Sequence, residues 1–263
     1  MASLPHRVRL GWWYQTALLG QREYLTANPV RVSAITLLPR AILQTVFIVL
    51  LGELAGGGEL RRYALAGATA LTITLCTVVG ITEVPSTDKA YGTFWRIRFG
   101  RLAPFTVFLL RSWPQPVVGF CISVITLLAV APFDPGATIG QAAVLLPCFA
   151  LLALTTSAVG LAGAAFAVGR RADVLVGNVL AYLTMLCSGA VIPPGRSHWV
   201  DAMGALLPMR HGLTAARAWQ AGLPFAGELA AEVAVGAGWF VVAWVLVTYQ
   251  VHRARTTGDD DYA

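Results

Sequence analysis

The sequence predicts an all-α integral membrane fold with six transmembrane helices, an N-terminal interfacial amphipathic helix and a re-entrant helical hairpin between spans five and six. Two observations carry this prediction. The 263 residues are 57% hydrophobic and only 12% charged, with a mean hydropathy of +0.67, which is outside the range of ordinary soluble domains. The apolar residues also fall in long runs between glycine, proline and charged breaks, and six spans of roughly 20 residues fit into the chain. We therefore expect one transmembrane domain over residues 1–263.

Residues 1–32 are predicted to form the interfacial helix. Arginines alternate there with aromatic and aliphatic residues such as Trp12 and Trp13, a composition suited to a helix lying at the headgroup level. Asn28-Pro29 ends the helix, because a residue before proline disfavours the helical conformation. Polar residues interrupt the apolar pattern, so no cleaved signal peptide is expected.

Six apolar runs within residues 33–251 are predicted to cross the membrane. They are Ser33–Leu54, Tyr63–Val84, 105–131 with a continuous part at 117–131, Gln141–Val168, Val174–Ile192 and Ala231–Val251. The turn at Gly56-Gly57-Gly58 makes the first two an antiparallel pair. Arg111, Pro114 and Pro116 predict a bent or broken third span, and Pro193-Pro194 is expected to end the fifth.

The fourth predicted span is rich in small residues, including Gly160, Ala162, Gly163, Ala164 and Ala165. Small residues let helix backbones approach closely inside a membrane. The alternative is that these residues simply face lipid.

The segment 195–225 differs from the spans because charged and polar residues recur in it too often for a helix facing lipid. Its apolar residues still keep helical spacing. Two short helices broken at Pro208, half in and half out of the membrane, fit this pattern best.

The positive charges predict the orientation. Thirteen of the 19 Lys and Arg residues fall on the side of the N-terminus. By the positive-inside rule both termini are then cytoplasmic, including the tail at residues 252–263.

Several function classes are excluded by the residues present. Lys89 is the only lysine, and Asp88 precedes it, so no G-x-x-x-x-G-K-[ST] phosphate loop exists. The arginines stand singly between apolar runs, which argues against nucleic acid. The four histidines are dispersed, no hydrolase or metalloprotease motif occurs, and the four cysteines are too far apart for a metal pair. We therefore expect no catalytic residues and no bound metal.

Arg40 is the one ionisable residue well inside an apolar run. Three interpretations are open. The side chain could snorkel to the inner headgroups, contact a polar or anionic part of a substrate, or pair with Gln44 between helices.

Two later blocks resemble the signature of type-2 ATP-binding-cassette (ABC-2) exporter permeases. They are Leu186-Cys187-Ser188-Gly189-Ala190-Val191-Ile192-Pro193-Pro194 and Leu206-Leu207-Pro208-Met209-Arg210-His211-Gly212-Leu213-Thr214-Ala215-Ala216-Arg217, with Trp199 between them. The resemblance implies an interfacial helix, six spans and a broken helical hairpin. It also implies an external gate at 195–225. The candidate residues of the substrate path or gate are Arg40 and Gln44, from the charge inside the first run, and Ser188, Gly189, Pro193, Pro208 and His211, from the matching blocks.

In that family, the loop between the second and third spans docks onto the ATPase. The matching stretch here is Asp88-Lys89-Ala90-Tyr91-Gly92-Thr93-Phe94-Trp95-Arg96. It departs from the commoner pattern, which places an acidic residue at Trp95 and a proline sooner than Pro104. From the residues alone, the same basic and aromatic cluster could instead anchor the chain to anionic lipid.

The resemblance further implies a pair of permeases, as a homodimer or with a related permease, and two ABC ATPase subunits. The chain itself would bind no cofactor, since ATP and Mg would bind to the ATPase. It would lie in the lipid of the bacterial inner (cytoplasmic) membrane and export a drug, natural product or lipid. Two alternatives remain, which are export of lipid-linked polysaccharide and a membrane scaffold or immunity protein without transport.

Overall fold

The computed structural model describes residues 6–133, 139–168, 173–191, 193–195 and 197–257, and within these ranges the chain is helical with no strand. The helices are α1 His6–Ala27, α2 Val30–Thr74, α3 Gly80–Ala90, α4 Phe94–Arg98, α5 Pro104–Arg111, α6 Pro114–Val130, α7 Ile139–Val168, α8 Asp173–Cys187, α9 His198–Leu206, α10 Arg210–Gln220 and α11 Ala226–Thr257. A π-helical segment, Leu75–Val79, joins α2 to α3, and a 3-10 turn, Ala131–Phe133, follows α6. The described residues leave out 134–138 and 169–172, which flank the fourth predicted span, and 258–263 at the end of the predicted tail.

Four segments of the described chain are long and apolar enough to cross a membrane. They are Val30–Lys89, Pro104–Val130, Ala143–Ala167 and Ala226–Arg253. The all-helical membrane class predicted from composition is therefore confirmed, while the number of crossings remains a prediction.

The first of these segments folds back on itself. Gly56 and Gly57 leave the helical conformation, and Gly57 has φ = 70°, a left-handed value that glycine adopts without a Cβ clash. A Cβ on Gly52 would lie 2.9 Å from the Cβ of Ala64, although residues twelve apart in one straight helix are about 18 Å apart. The predicted antiparallel pair is thus present, as a first arm (residues 30–55) and a second arm (residues 58–90).

The second arm is longer than predicted, because helix continues through Pro85 to Ala90 instead of ending at Val84. Asp88, Lys89 and Ala90 are therefore helical. The third predicted span is broken as expected, at Ser112 and Trp113 between α5 and α6.

The fifth predicted span ends earlier than the sequence suggested. Helix α8 stops at Cys187, not at the two prolines, and its apolar part, Leu175–Cys187, is shorter than the four long segments. Gly189 takes a left-handed φ of 69°, and the hydroxyl of Ser188 accepts a hydrogen bond from the Ala190 N–H at 3.2 Å. The chain therefore turns four residues before Pro193.

The segment after α8 forms two short helices, α9 and α10, which are separated at Leu207–Met209 as Pro208 predicted. We call these two helices the hairpin. The last helix begins at Ala226, five residues before the predicted start, so Glu228 and Glu232 lie within α11.

Helix α7 lies at the centre of the fold and contacts α2, α3, α6, α8, α10 and α11. Phe149, Leu152 and Leu161 on this helix are fully buried. The small residues Ala162, Ala164 and Ala165 are buried too, so the helix-packing interpretation of the small residues is right and the lipid-facing alternative is wrong for them.

Gly160 marks the closest approach of α7 to the π-helical segment, since a Cβ there would lie 2.8 Å from the carbonyl oxygen of Thr77. We expect Gly160→Ala to lower the free energy of unfolding by about 1–3 kcal/mol through overpacking. Gly238→Ala on α11 is the matched control, because nothing lies within 4 Å of its added Cβ. The control should be neutral or stabilising by up to about 1 kcal/mol. Unfolding in mixed micelles measures both, and equal effects would contradict the packing argument.

Candidate functional site

The connection between the second arm and α5 presents a compact aromatic surface. After α3 ends at Ala90, Gly92 turns the chain with φ = 62°, and the Thr93 N–H donates to the carbonyl of Asp88 at 2.8 Å. Helix α4 then points Phe94 and Ile97 into the core. The opposite side exposes Tyr91, Trp95, Arg96 and Phe99, and we call these four residues the loop face.

A buried ion pair lies beneath the loop face. Arg111, at the end of α5, donates to Asp88 at 2.5 Å. The same guanidinium donates to Glu23 of α1 through Nε at 3.0 Å and Nη2 at 2.7 Å. Arg111 and Asp88 are both buried, whereas Glu23 is 45% exposed. Three separate elements therefore meet at one guanidinium, which we call the Arg111 node.

Helix α1 is fastened to the same region by further contacts. The Trp113 indole N–H donates to the carbonyl of Ala17 at 3.0 Å, and the Arg101 guanidinium lies 4.7 Å from the ring centroid of Trp12. Gly20 lies directly against the backbone of Arg111, leaving no room for a Cβ. The predicted interfacial helix is thus packed on α5 and the start of α6.

A second polar cluster joins the hairpin to α11. Glu232 is fully buried, and its carboxylate accepts hydrogen bonds from the Met209 N–H at 2.9 Å, the Gly212 N–H at 2.9 Å and the Thr155 hydroxyl at 2.6 Å. The two amides belong to the first turn of α10, whose N–H groups have no partner within the helix. Glu232 therefore caps α10 from another helix, with a charge favoured by the helix dipole.

Two residues of the predicted gate sequence are held close to this cap. Met209 has φ = 91°, the only positive φ among the described non-glycine residues, and two hydrogen bonds to Glu232 hold it there. His211 faces acceptors with both ring nitrogens, Glu228 at 2.7 Å and the Ala205 carbonyl at 3.3 Å. Pro208 is buried between the two short helices.

The turn after α8 is held by Arg217 and Tyr63. Arg217 donates to the carbonyls of Gly189 at 3.1 Å and Tyr63 at 3.1 Å, and its guanidinium stacks 3.4 Å from the Tyr63 ring centroid. The Tyr63 hydroxyl also donates to Gly189 at 2.6 Å. Burial lowers the pKa of Arg217 to about 10, so the side chain stays protonated at neutral pH. These contacts give partners to the carbonyls of the turn after α8 and tie that turn to the second arm.

Arg40 and Gln44 lie apart from the hairpin, on the first arm. Both line a small open cavity of about 40 Å³ between the two arms and α6, together with Thr72 and Cys76. Arg40 is exposed, and it makes no hydrogen bond or ion pair with any residue that the structure describes.

Comparison with known families identifies the chain. A family model for the ABC-2 type transporter matches residues 14–221, from α1 to the end of the hairpin. The chain belongs to the ABC-2 type transporter family. No curated protein matches the sequence closely enough to add a relative.

The family makes the chain a multi-pass membrane protein and the permease subunit of an ABC transporter, a component that is typically not catalytic and works with an ABC ATPase. The membership of the ABC-2 family that the sequence blocks predicted is therefore confirmed. Among the described residues of the permease, no group of three or more His, Cys, Asp and Glu side chains could hold a metal ion.

The predicted site residues of the permease fall into three places. The stretch Asp88–Arg96 forms the loop region, while Ser188, Gly189, Pro208 and His211 lie at or beside the hairpin, and Arg40 and Gln44 line the cavity. Pro193 is half-buried in the connection to α9. The structure therefore does not bring the predicted path or gate residues into a single pocket.

Sequence reasoning missed Glu232, Arg111 and the Arg217–Tyr63 pair. The spacing of Glu228 and Glu232, one turn apart before a long apolar run, is a signal that could have placed two carboxylates on one side of α11. In the sequence, Arg111 indicates a broken span but no ion pair, because its partners are 23 and 88 residues away.

The Arg111 node gives a prediction about stability. Asp88→Asn keeps the shape of the side chain but leaves the buried guanidinium without its buried counter-charge, which should cost about 3–5 kcal/mol of unfolding free energy. Glu23→Gln removes the exposed partner and should cost less than about 1 kcal/mol. Unfolding in mixed micelles measures the free energy of both variants. An equal loss of unfolding free energy would show that burial does not determine how much each ion pair contributes.

The Glu232 cap gives a second prediction, which concerns local order. In Glu232→Leu no oxygen remains to accept, so the buried N–H groups of Met209 and Gly212 lose their partner at a cost of about 1–3 kcal/mol each. Hydrogen exchange at α10 should accelerate accordingly. Glu228→Leu is the control, since Glu228 is 42% exposed and its hydrogen bond is to the His211 side chain. Unchanged exchange in the Glu232 variant would refute the capping role.

Proposed function

We propose that this permease exports an amphiphilic or hydrophobic compound, such as a drug, natural product or lipid, from the cytoplasm or inner leaflet. The observation that carries the proposal is the loop face, an aromatic and basic surface on a short helix that is braced from behind by the Arg111 node. Exposed aromatic side chains beside an arginine are typical of the centre of a protein interface. The binding partner of the loop face in this proposal is the ABC ATPase.

The proposed topology has six crossings, with both termini and the loop face in the cytoplasm of a bacterium. The two arms, α5–α6, α7, α8 and α11 are the crossing elements, and α8 is the shortest of them. Helix α1 then lies along the cytoplasmic surface, which agrees with the arginines that it carries near its ends. The hairpin lies at the outer face.

The proposed assembly is a homodimer of this permease with two ATPase subunits, which bind ATP and Mg. A single chain of this size supplies half of a path between subunits. The first arm is suited to line that path, because its exposed surface carries Arg40 among apolar residues that include Leu43 and Phe47.

The proposed coupling runs through the Arg111 node. When the ATPase pair closes on ATP, it moves the loop face, and the rigid link from Asp88 to Arg111 passes that movement to α5 and α1. The hairpin responds as the external gate, since Glu232 and His211 join it to α11.

The amphiphilic cargo follows from the character of the interior. The buried polar groups of the second arm are mostly hydroxyls, including Thr69, Thr74, Thr77 and Thr82, and each donates within the protein. The aromatic residues of α11 give little support to a sugar channel. Trp239 donates to the Leu206 carbonyl, and Trp244 and Tyr249 are more than half exposed on the helix.

The test is affinity purification of the tagged permease from its native membrane in mild detergent, with mass spectrometry and ATP turnover of the eluate. We expect a stoichiometric ABC ATPase. The triple variant Tyr91→Ser, Trp95→Ser, Phe99→Ser should reduce its recovery by about tenfold or more, because each lost aromatic anchor is worth on the order of 1 kcal/mol or above.

The matched control is Trp199→Ser with Leu206→Ser, which removes equally exposed apolar residues from α9 and should leave ATPase recovery unchanged. Should the wild-type permease purify without any ATPase, the transport proposal fails and a scaffold or immunity role takes its place. Equal loss in both variants would mean that the loop face is not the docking surface.

A further inference from the structure

The Arg40 cavity combines two unusual features of this chain. The first is an arginine within a continuous apolar arm, sixteen residues from the turn at Gly56 or about 24 Å along the helix. At that distance from the turn, the residue is still inside the roughly 30 Å apolar layer. Ionisable groups at such depth face a path or cavity and pair with something there.

The position of Arg40 beside the second arm argues against snorkelling. Arg40 lies within electrostatic range of Cys76 on the second arm and lines the cavity with Gln44, which is one turn further from the N-terminus of the arm. A guanidinium that snorkelled back toward Arg31 and the headgroups would move away from Cys76. Both residues instead border the same open space.

The second feature is the backbone opposite Arg40. Leu75 and Cys76 line the cavity and are the first two residues of the π-helical segment. Single π-helical turns inside α-helices are rare and occur frequently at functional sites. Thr72, one turn before Cys76, adds a hydroxyl to the lining.

From these observations we propose that Arg40 and Gln44 form a binding subsite for the anionic group of an amphiphilic cargo. The phosphate or carboxylate accepts from the guanidinium and the Gln44 amide, while the apolar chain lies along the exposed first arm toward Leu43 and Phe47. This proposal rests on the proposed transport function and narrows its cargo to anionic amphiphiles with one apolar chain, which excludes two-chain membrane lipids. The same chemistry is offered by a resident anionic lipid, so the test must separate the two sources.

The test measures binding of dodecyl phosphate to the purified permease complex in neutral dodecyl maltoside by native mass spectrometry. We expect one bound molecule per chain, with a dissociation constant about tenfold or more weaker in Arg40→Gln, because a charge-assisted hydrogen bond is lost. Arg40→Lys keeps the charge and should recover most of the affinity. Arg31→Gln, the same charge change at the start of the arm, should bind like the wild type.

Two competitors identify the source of the anion. Dioleoylphosphatidylglycerol should displace the probe poorly if the subsite takes cargo, and inorganic phosphate should not displace it because it lacks the chain. Stoichiometric displacement by the two-chain lipid would overturn the cargo assignment in favour of a structural lipid. Equal probe affinity in the wild type and Arg40→Gln would overturn the subsite altogether.

The outcome for this subsite is separable from the proposed function. The ATPase should still copurify with Arg40→Gln, because the cavity lies in the arms and not at the loop face. Loss of probe binding with the ATPase retained supports the subsite. If no ATPase copurifies even with the wild type, the transport proposal fails, while the binding measurement still decides whether Arg40 holds an anion.

Discussion

The ion pair between Arg111 and Asp88 is the contact on which the loop end of the fold depends. Arg111 ends α5 and Asp88 lies near the end of the second arm, while Glu23 brings α1 to the same guanidinium. Both charges of the central pair are buried, so neither has water as an alternative partner, and the loss of one leaves the other uncompensated. The position of α4, and with it the loop face, is therefore determined by a contact that no local sequence rule contains.

Near the hairpin, buried polar groups also need partners from distant parts of the chain, and here the groups are backbone amides and carbonyls. Helices that end inside an apolar environment leave backbone groups that must find partners within the protein. Glu232 supplies acceptors for the first turn of α10, and Arg217 supplies donors for the turn after α8. Each charge is offered by a different helix from the one that it completes, so the short elements are fixed to the long ones. Movement of α10 relative to α11 must consequently stretch or break the hydrogen bonds of Glu232 to Met209 and Gly212.

The sequence was sufficient to predict features that depend on composition and on glycine and proline residues at helix ends and turns. Long apolar runs predicted the helices, and Gly56-Gly57 predicted the reversal of the chain. Pro114 predicted the break in the third segment, and Pro208 predicted the break in the hairpin. Prediction from the sequence failed where a distant partner or a local hydrogen bond determines where a helix ends. Helix α8 stops at Cys187 because Ser188 and Gly189 turn the chain, and α3 continues past Pro85 to Asp88, which the loop and Arg111 engage. The candidate site was only half predictable for the same reason, since Glu232, Arg111 and Tyr63 act through residues far away in the chain.

These pairings make Arg40 the informative exception. Arg111, Arg217 and Glu232 are each satisfied by several hydrogen bonds, because an isolated charge in an apolar environment is costly. Arg40 has no such partner among the described residues, and it lines the cavity within electrostatic range of Cys76. The other three charges are held by contacts within the fold, whereas Arg40 is exposed beside the space between the arms. A permanent structural partner would have to come from this chain or from the second permease of the proposed dimer, whereas a passing ligand supplies the partner only while it is bound. The described part of the chain supplies none, and the cavity is open, so a ligand can reach Arg40.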